Sequence, residues 1–280
     1  MKKNYILLFL LAVAIMASGC STKKETGIQE KIKASVTISP YSGLVKAVGG
    51  DKVEITVLVP PQSACETYEP TPSDIARSAQ SSIYFAVGAE YAFEKGLLQG
   101  VRENYKSIKV IDCSQGIEVA GNNPHIWLYP AGIKKILEHI YNALSEANPD
   151  LEEYFRQNRI KAEARIDSID NEIKNMFKGK EGSRILVFHP SWLYFAKAYN
   201  LEQVAIENEG KEPTAQDLKN VVDTAKKYKI KTLFTEPGTG EEQAAAIKQE
   251  LKADAKVLNP MEEDVFNNLI ETAKKISVSL

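Results

Sequence analysis

The chain lacks long hydrophobic segments and an excess of charge of either sign. Its longest apolar run, residues 5–17, has thirteen residues and is too short to span a bilayer comfortably. Basic residues number 35 and acidic residues 37, so no basic patch indicates binding to nucleic acid. The remaining length, roughly 250 residues, is enough for one large core or for two domains of ordinary size.

Cysteine and histidine are also scarce, with three of each in the 280 residues. Outside the N-terminal segment only Cys65 and Cys113 remain, and each follows a predicted strand. In an oxidising compartment the two thiols can form a disulfide, but two separate buried thiols fit the sequence equally well. The absence of an H-E-x-x-H sequence removes one common signature of zinc hydrolases.

The first twenty residues have the features of an export signal. Lys2 and Lys3 precede the apolar run, and Ala17-Ser18-Gly19-Cys20 follows it, as in a lipobox. We therefore expect cleavage before Cys20 and lipidation of its thiol. An ordinary cleaved signal or an uncleaved anchor would be the alternative. The polar residues 21–31 predict a tether rather than part of the fold.

Strand and helix patterns alternate through the rest of the chain, which predicts an α/β fold with parallel sheets. We expect one lobe over residues 32–148 and a second over residues 179–280. Between them, residues 149–178 predict a single helix, since residues 151–177 are without a helix breaker and would extend ~40 Å. The apolar stripe of this helix is too short for a long coiled coil, so a strut between the lobes is the better interpretation.

Two of the three histidines follow predicted strands, the position at which α/β sheets gather ligand sites. His125 belongs to the N-terminal half and His189 to the C-terminal half. Because histidine is the commonest metal ligand, both are candidates for a metal site. His139 lies in a predicted helix, off its apolar stripe, and is expected to be exposed to solvent.

Three motifs indicate a family. Residues 66–74 have the sequence E-T-Y-E-P-T-P-S-D, residues 123–130 N-P-H-I-W-L-Y-P, and residues 188–199 F-H-P-S-W-L-Y-F-A-K-A-Y. They resemble the H-x-Y-E-P-T-P-S-D, D-P-H-x-W-L-x-P and F-H-x-x-F-x-Y-F-A-x-x-Y patterns of the cluster 9 solute-binding proteins, lipoproteins that capture zinc or manganese for ABC importers. The resemblance extends over about residues 32–278 and implies two Rossmann-like lobes joined by one long rigid helix.

The resemblance also implies a set of metal ligands. His125 and His189 correspond to family ligands, and Glu66 stands where the family has its first histidine. Glu66 can supply a carboxylate, and the neighbouring Cys65 is the alternative as a thiolate. For the fourth position the family often uses an aspartate, which Asn259 replaces here. Glu236, after another predicted strand, or water can take that place.

The function implied is capture of one divalent metal ion between the lobes and its delivery to a permease with an ATPase. The ion is zinc, or else manganese or iron, since imidazole and carboxylate ligands suit all three. We expect no catalysis, a monomer, and a location outside the cytoplasm with attachment to the membrane through Cys20. The alternatives are a receptor of the same fold for a siderophore or corrinoid and, with less support, a metallohydrolase.

Overall fold

The N-terminal half builds a parallel sheet with the strand order β2-β1-β3-β4. The computed structural model describes residues 30–280 except 61–67, 69, 89–93, 96–97, 100, 102–105, 122, 208–212 and 239. The strands of this first sheet are β1 (Ile32–Val36), β2 (Val53–Val57), β3 (Ile83–Ala86) and β4 (Lys109–Asp112). Helices of this half that the structure describes in full are α1 (Ser39–Gly49), α2 (Pro72–Ser78) and α3 (Pro130–Ala147).

The C-terminal half repeats this arrangement, with the order β6-β5-β7-β8 in a second parallel sheet. Its strands are β5 (Arg184–Val187), β6 (Glu202–Ala205), β7 (Thr232–Thr235) and β8 (Asp254–Val257). Its helices are α5 (Leu193–Ala198), α6 (Ala215–Lys227), α7 (Glu241–Leu251) and α8 (Val265–Ser277). The predicted α/β fold with two parallel-sheet lobes is therefore confirmed, and the two sheets share the same strand order.

Local sequence explains where several of these helices begin. Thr71 caps α2, because its hydroxyl accepts from the backbone N–H of Asp74 while the Asp74 carboxylate accepts from the N–H of Thr71. Thr214 and Asp217 form the same reciprocal pair at the start of α6. Such capping boxes satisfy two N–H groups that the first helical turn leaves without partners.

A single long helix, α4 (Glu152–Phe177), connects the lobes, as predicted. Its first half packs on the N-terminal lobe, where Asn158 donates to the carbonyl oxygen of Val48 at 3.0 Å. Its last turn packs on the C-terminal lobe, where the rings of Phe177 and Phe195 lie 6.0 Å apart. Because α4 is held along both lobes, it braces them against each other.

The hydrophobic core continues from one lobe to the other. One cluster contains buried residues of the first sheet, of α3 and α4, and of α8. Residues 31–280 accordingly form one compact unit, and the predicted boundaries 148/149 and 178/179 stay predictions. Among the described residues, no helix is both long enough and apolar enough to cross a membrane.

Candidate metal site

His125 is held by the residue two positions before it. It precedes a short 3-10 turn, Ile126–Leu128, and only 2% of its surface is exposed. The Asn123 Oδ1 atom accepts from the backbone N–H of His125 at 3.1 Å and lies 3.0 Å from its Nδ1. An amide oxygen can only accept, so Nδ1 carries the ring proton and Nε2 is the nitrogen suited to ligation.

His189 is held by a carboxylate from a neighbouring strand. It lies two residues beyond β5, is 7% exposed, and places Nδ1 2.8 Å from Oε2 of Glu207. Glu207 lies two residues beyond β6, the strand that pairs with β5. A carboxylate against one ring nitrogen fixes the tautomer and makes the other nitrogen a better donor to a metal. His189 is therefore also arranged to ligate through Nε2.

The two imidazole rings meet at the junction of the lobes. Their centroids are 5.3 Å apart and their planes form an angle of 70°. Two imidazoles bound to one tetrahedral zinc ion at the usual Zn–N distances have ring centres about 5 Å apart. The observed separation therefore fits two histidines that share one ion, and the structure brings together the two residues that the sequence identified from separate halves.

Glu236 lies near His189, as the parallel strand order requires. It follows β7, which pairs with β5, and it accepts a 2.5 Å hydrogen bond from the hydroxyl of Ser191. The carboxyl ends of β5, β6 and β7 thus bring His189, Glu207 and Glu236 to the same edge of the second sheet. Glu207 was not predicted, although the strand-end rule that selected His189 also applies to it.

Asn259 has a different environment. Its Oδ1 accepts from the backbone N–H of Met261 at 3.0 Å, and its Nδ2 donates to Glu262 at 2.7 Å. Its own carbonyl oxygen accepts from Asn268 at the start of α8. The amide therefore organises the turn between β8 and α8, which makes it a weak candidate for a ligand.

Other predicted residues lie outside the described part of the chain. Glu66, Cys65 and Cys20, the predicted lipidation site, are not among the residues that the structure describes, so it does not place the predicted first ligand. In the residues that the structure does place, no set of three His, Cys, Asp or Glu side chains is close enough to hold a metal ion.

Two further predictions can be compared with the structure. His139 is partly buried, and its Nε2 lies 2.9 Å from the carbonyl oxygen of Gln115, so it is less exposed than predicted. Cys113 is a free thiol with no exposed surface, and burial raises its pKa well above the usual range. A thiol in this state fits the interpretation as a separate buried cysteine.

One carboxyl in the N-terminal lobe is almost completely buried. Glu94 is 1% exposed and accepts hydrogen bonds from the backbone N–H groups of Val87 and Gly88, at 2.8 and 2.7 Å, and from the hydroxyl of Thr37. Burial raises its pKa to about 7, and the nearby Asp112 adds to this shift. Sequence patterns gave no sign of this group, because charged side chains are seldom buried.

Comparisons with known proteins identify the family of the chain. Residues 35–276 match the family model described as "ZnuA: Zinc-uptake complex component A periplasmic". A zinc-bound crystal structure of a ZnuA deletion mutant is 33% identical, with a TM-score of 0.84 over 89% of this chain and 98% of that one.

The names of two relatives specify different metals. The high-affinity zinc uptake system protein ZnuA of Bacillus subtilis is 26% identical, covering 94% of this chain and 90% of its own. The manganese ABC transporter substrate-binding lipoprotein PsaA of Streptococcus mitis is 24% identical, covering 89% and 87%. The match is therefore to whole proteins and not to a shared fragment.

Proposed function

The chain belongs to the ZnuA family of periplasmic zinc-uptake components, and from this premise we propose that it is the metal-capturing protein of an ABC importer. It binds one divalent transition-metal ion between its lobes and delivers it to a permease driven by an ATPase. Its role is to bind and release, without a catalytic step.

The observation that carries this proposal is the convergence of His125 and His189. Each ring is buried, comes from a different lobe, and has Nδ1 engaged by an oxygen acceptor. Both rings are thereby fixed in the tautomer that ligates through Nε2. An ion held in this way contacts both lobes, so its binding stabilises the folded chain.

We assign the remaining ligands by chemistry. Glu66 is the proposed third ligand, since a carboxylate completes a His, His, Glu set that suits zinc, manganese or iron. A water molecule is the proposed fourth. Glu236 is the alternative because it extends from the same sheet edge as His189, although in the metal-free chain it does not complete a set of three with the two histidines. We do not propose Asn259 as a ligand, because its side chain is hydrogen-bonded within the turn between β8 and α8.

The metal is proposed to be zinc, with manganese as the competitor. The affinity order of divalent metals for nitrogen and oxygen ligands favours zinc, whereas a carboxylate in place of an imidazole favours the harder manganese ion. The names of the relatives include both metals.

The protein is further proposed to act outside the cytoplasm as a monomer, attached to the membrane by lipid on Cys20. The support is the apolar run followed by Ala17-Ser18-Gly19-Cys20 and the lipoprotein relative from Streptococcus mitis. Mass spectrometry of the native N-terminus tests this directly. A mature chain that begins elsewhere and carries no acyl group contradicts the lipid assignment.

Metal content and metal-linked stability test the function. Protein purified without added metal, and then stripped by chelator, is titrated with zinc and manganese in competition. At 100 times the dissociation constant, bound metal adds ~2.7 kcal/mol to the free energy of unfolding. His125→Ala and His189→Ala should lose most of that gain, whereas His139→Ala should keep it. Equal losses in all three variants would contradict the assignment.

A further inference from the structure

The amide of Asn123 contacts both lobes at once. Its Oδ1 is committed to His125 by the two contacts described above, and its Nδ2 donates to the carbonyl oxygen of Pro190 at 2.7 Å. Pro190 follows His189 directly in the chain. One small planar group therefore connects the loops that carry the two metal-binding histidines.

The hydrogen-bond partners determine which way this amide points. The backbone N–H of His125 is a donor and requires an oxygen, whereas the Pro190 carbonyl is an acceptor and requires an N–H. Reversing the amide would create two repulsive contacts. The orientation is thus set by backbone groups alone and does not depend on the protonation of the histidine.

A second contact supports the first. The hydroxyl of Tyr194, on α5 of the C-terminal lobe, donates to the backbone carbonyl of Asn123 at 2.7 Å and accepts from the backbone N–H of Ala120 at 3.0 Å. Burial raises the pKa of Tyr194, so its hydroxyl keeps the proton that it donates. The backbone of Asn123 is therefore fixed on the second lobe independently of its side chain.

We propose that Asn123 is a positioning residue that couples His125 to His189 across the lobe junction, so that the two rings are set as a pair before metal arrives. This inference rests on the proposed function for its purpose, but the coupling itself is a property of the metal-free chain. The acceptor half of the amide orients His125, and the donor half restrains the loop of His189.

The two halves of the amide can be separated by substitution. Asn123→Asp keeps an oxygen acceptor for His125 but loses the N–H donor and places a carboxylate against the Pro190 carbonyl. Asn123→Ala loses both functions. Asn158→Asp is a matched control, because it removes an amide-to-carbonyl hydrogen bond of similar length between α4 and α1, remote from the histidines.

Hydrogen exchange of the metal-free proteins is the first measurement. In Asn123→Asp the peptide that contains residues 186–194 should exchange faster, while the histidine nitrogen NMR signals of His125 still show the Nδ1–H tautomer. In Asn123→Ala both the exchange and the tautomer of His125 should change. The control Asn158→Asp should match the wild type in both measurements. Unchanged exchange at residues 186–194 in Asn123→Asp would overturn the coupling.

Zinc titration of the same proteins completes the test. Groups that orient metal ligands typically contribute roughly 10–100-fold to affinity, so Asn123→Ala should lose that amount and Asn158→Asp none. If Asn123→Ala binds zinc as tightly as the wild type does, the coupling has no part in binding and the proposal is wrong. If wild-type protein binds neither zinc nor manganese, the proposed function fails, while the exchange data still decide the coupling.

Discussion

The N-terminal lobe holds His125 against a neutral amide, whereas the C-terminal lobe holds His189 against a carboxylate. Both sheets have the same strand order, so the difference does not come from topology. It comes from the residue that each lobe places beside Nδ1, which is Asn123 in one and Glu207 in the other. An amide fixes the tautomer and direction of a ring, and a carboxylate also increases its basicity. One proposed ligand is therefore tuned by geometry and the other by charge as well.

The lobes also differ in how directly the ends of their strands indicate which side chains lie at the candidate site. The second sheet brings its polar residues from positions within two residues of the ends of three strands. His125 instead lies thirteen residues after the end of β4, in a loop that is hydrogen-bonded to Tyr194 and Pro190 of the other lobe. The proposed N-terminal ligand is thus positioned partly by the C-terminal lobe.

The largest expected effect is a loss of stability when α4, the helix that connects the lobes, loses a core side chain. Phe155 is fully buried in the first half of α4, and Phe177 is almost fully buried in its last turn. Replacement of either by Ala should lower the free energy of unfolding by roughly 3–5 kcal/mol, because a large core side chain is removed. Urea denaturation measures this loss. If the core is continuous, each variant should still unfold in one transition, whereas two separate transitions would show that the lobes unfold independently.

The next expected effect is a loss of metal affinity on replacing Glu66, the proposed third ligand, which lies outside the described residues. Glu66→Gln keeps the size of the side chain and removes its charge, so a ligating Glu66 should weaken manganese binding by more than the roughly 10–100-fold typical of residues that only orient ligands. Glu66→His should shift preference toward zinc, since imidazole is a softer ligand than carboxylate. Competition titration of the three proteins measures both. Unchanged binding in Glu66→Gln would move the first ligand to Cys65 or to water.

Replacement of Glu207 sharpens the contrast between the two histidines. Glu207→Gln keeps an oxygen that can accept from His189 but removes the negative charge. Zinc affinity should fall by about tenfold, at the lower end of the range for such partners. Isothermal titration of the variant beside the wild type measures this loss. A fall as large as that in His189→Ala would mean that Glu207 itself binds the ion.

A separate effect, outside the candidate site, is a pH dependence of stability from Glu94 in the N-terminal lobe. Its pKa is about 7 in the folded chain and 4.5 without perturbation, so the protonated form favours folding. The favourable contribution is fully present below about pH 4.5 and is lost as the pH rises to about 7. Urea denaturation between pH 5 and 8 should therefore show wild-type stability falling relative to Glu94→Gln. Parallel pH profiles would show that Glu94 is ionised throughout.

Much of the fold followed from local sequence. Alternating strands and helices predicted both parallel sheets, and the uninterrupted helical segment predicted α4 to within one residue at its start. The position of His189 after a predicted strand was enough to make it a candidate ligand. These features depend on periodicity and on chain breakers, which act over a few residues.

The missed features are contacts between distant segments. Glu207 faces His189 only because β6 pairs with β5, and the sequence of either strand alone does not predict that pairing. The use of Asn259 within its own turn depends on Glu262 and on the first turn of α8. The bond from Asn123 to Pro190 spans 67 residues and both lobes, so no local pattern could indicate it.

The most direct test is a crystal structure of the zinc-loaded protein with anomalous diffraction at the zinc edge. We expect one strong peak between the lobes, with Nε2 of His125 and Nε2 of His189 each about 2.0–2.1 Å from the ion. Nδ1 of His125 should remain hydrogen-bonded to Asn123, and Nδ1 of His189 should remain hydrogen-bonded to Glu207. A peak bound by only one of these histidines, or through Nδ1 of either, would contradict the account.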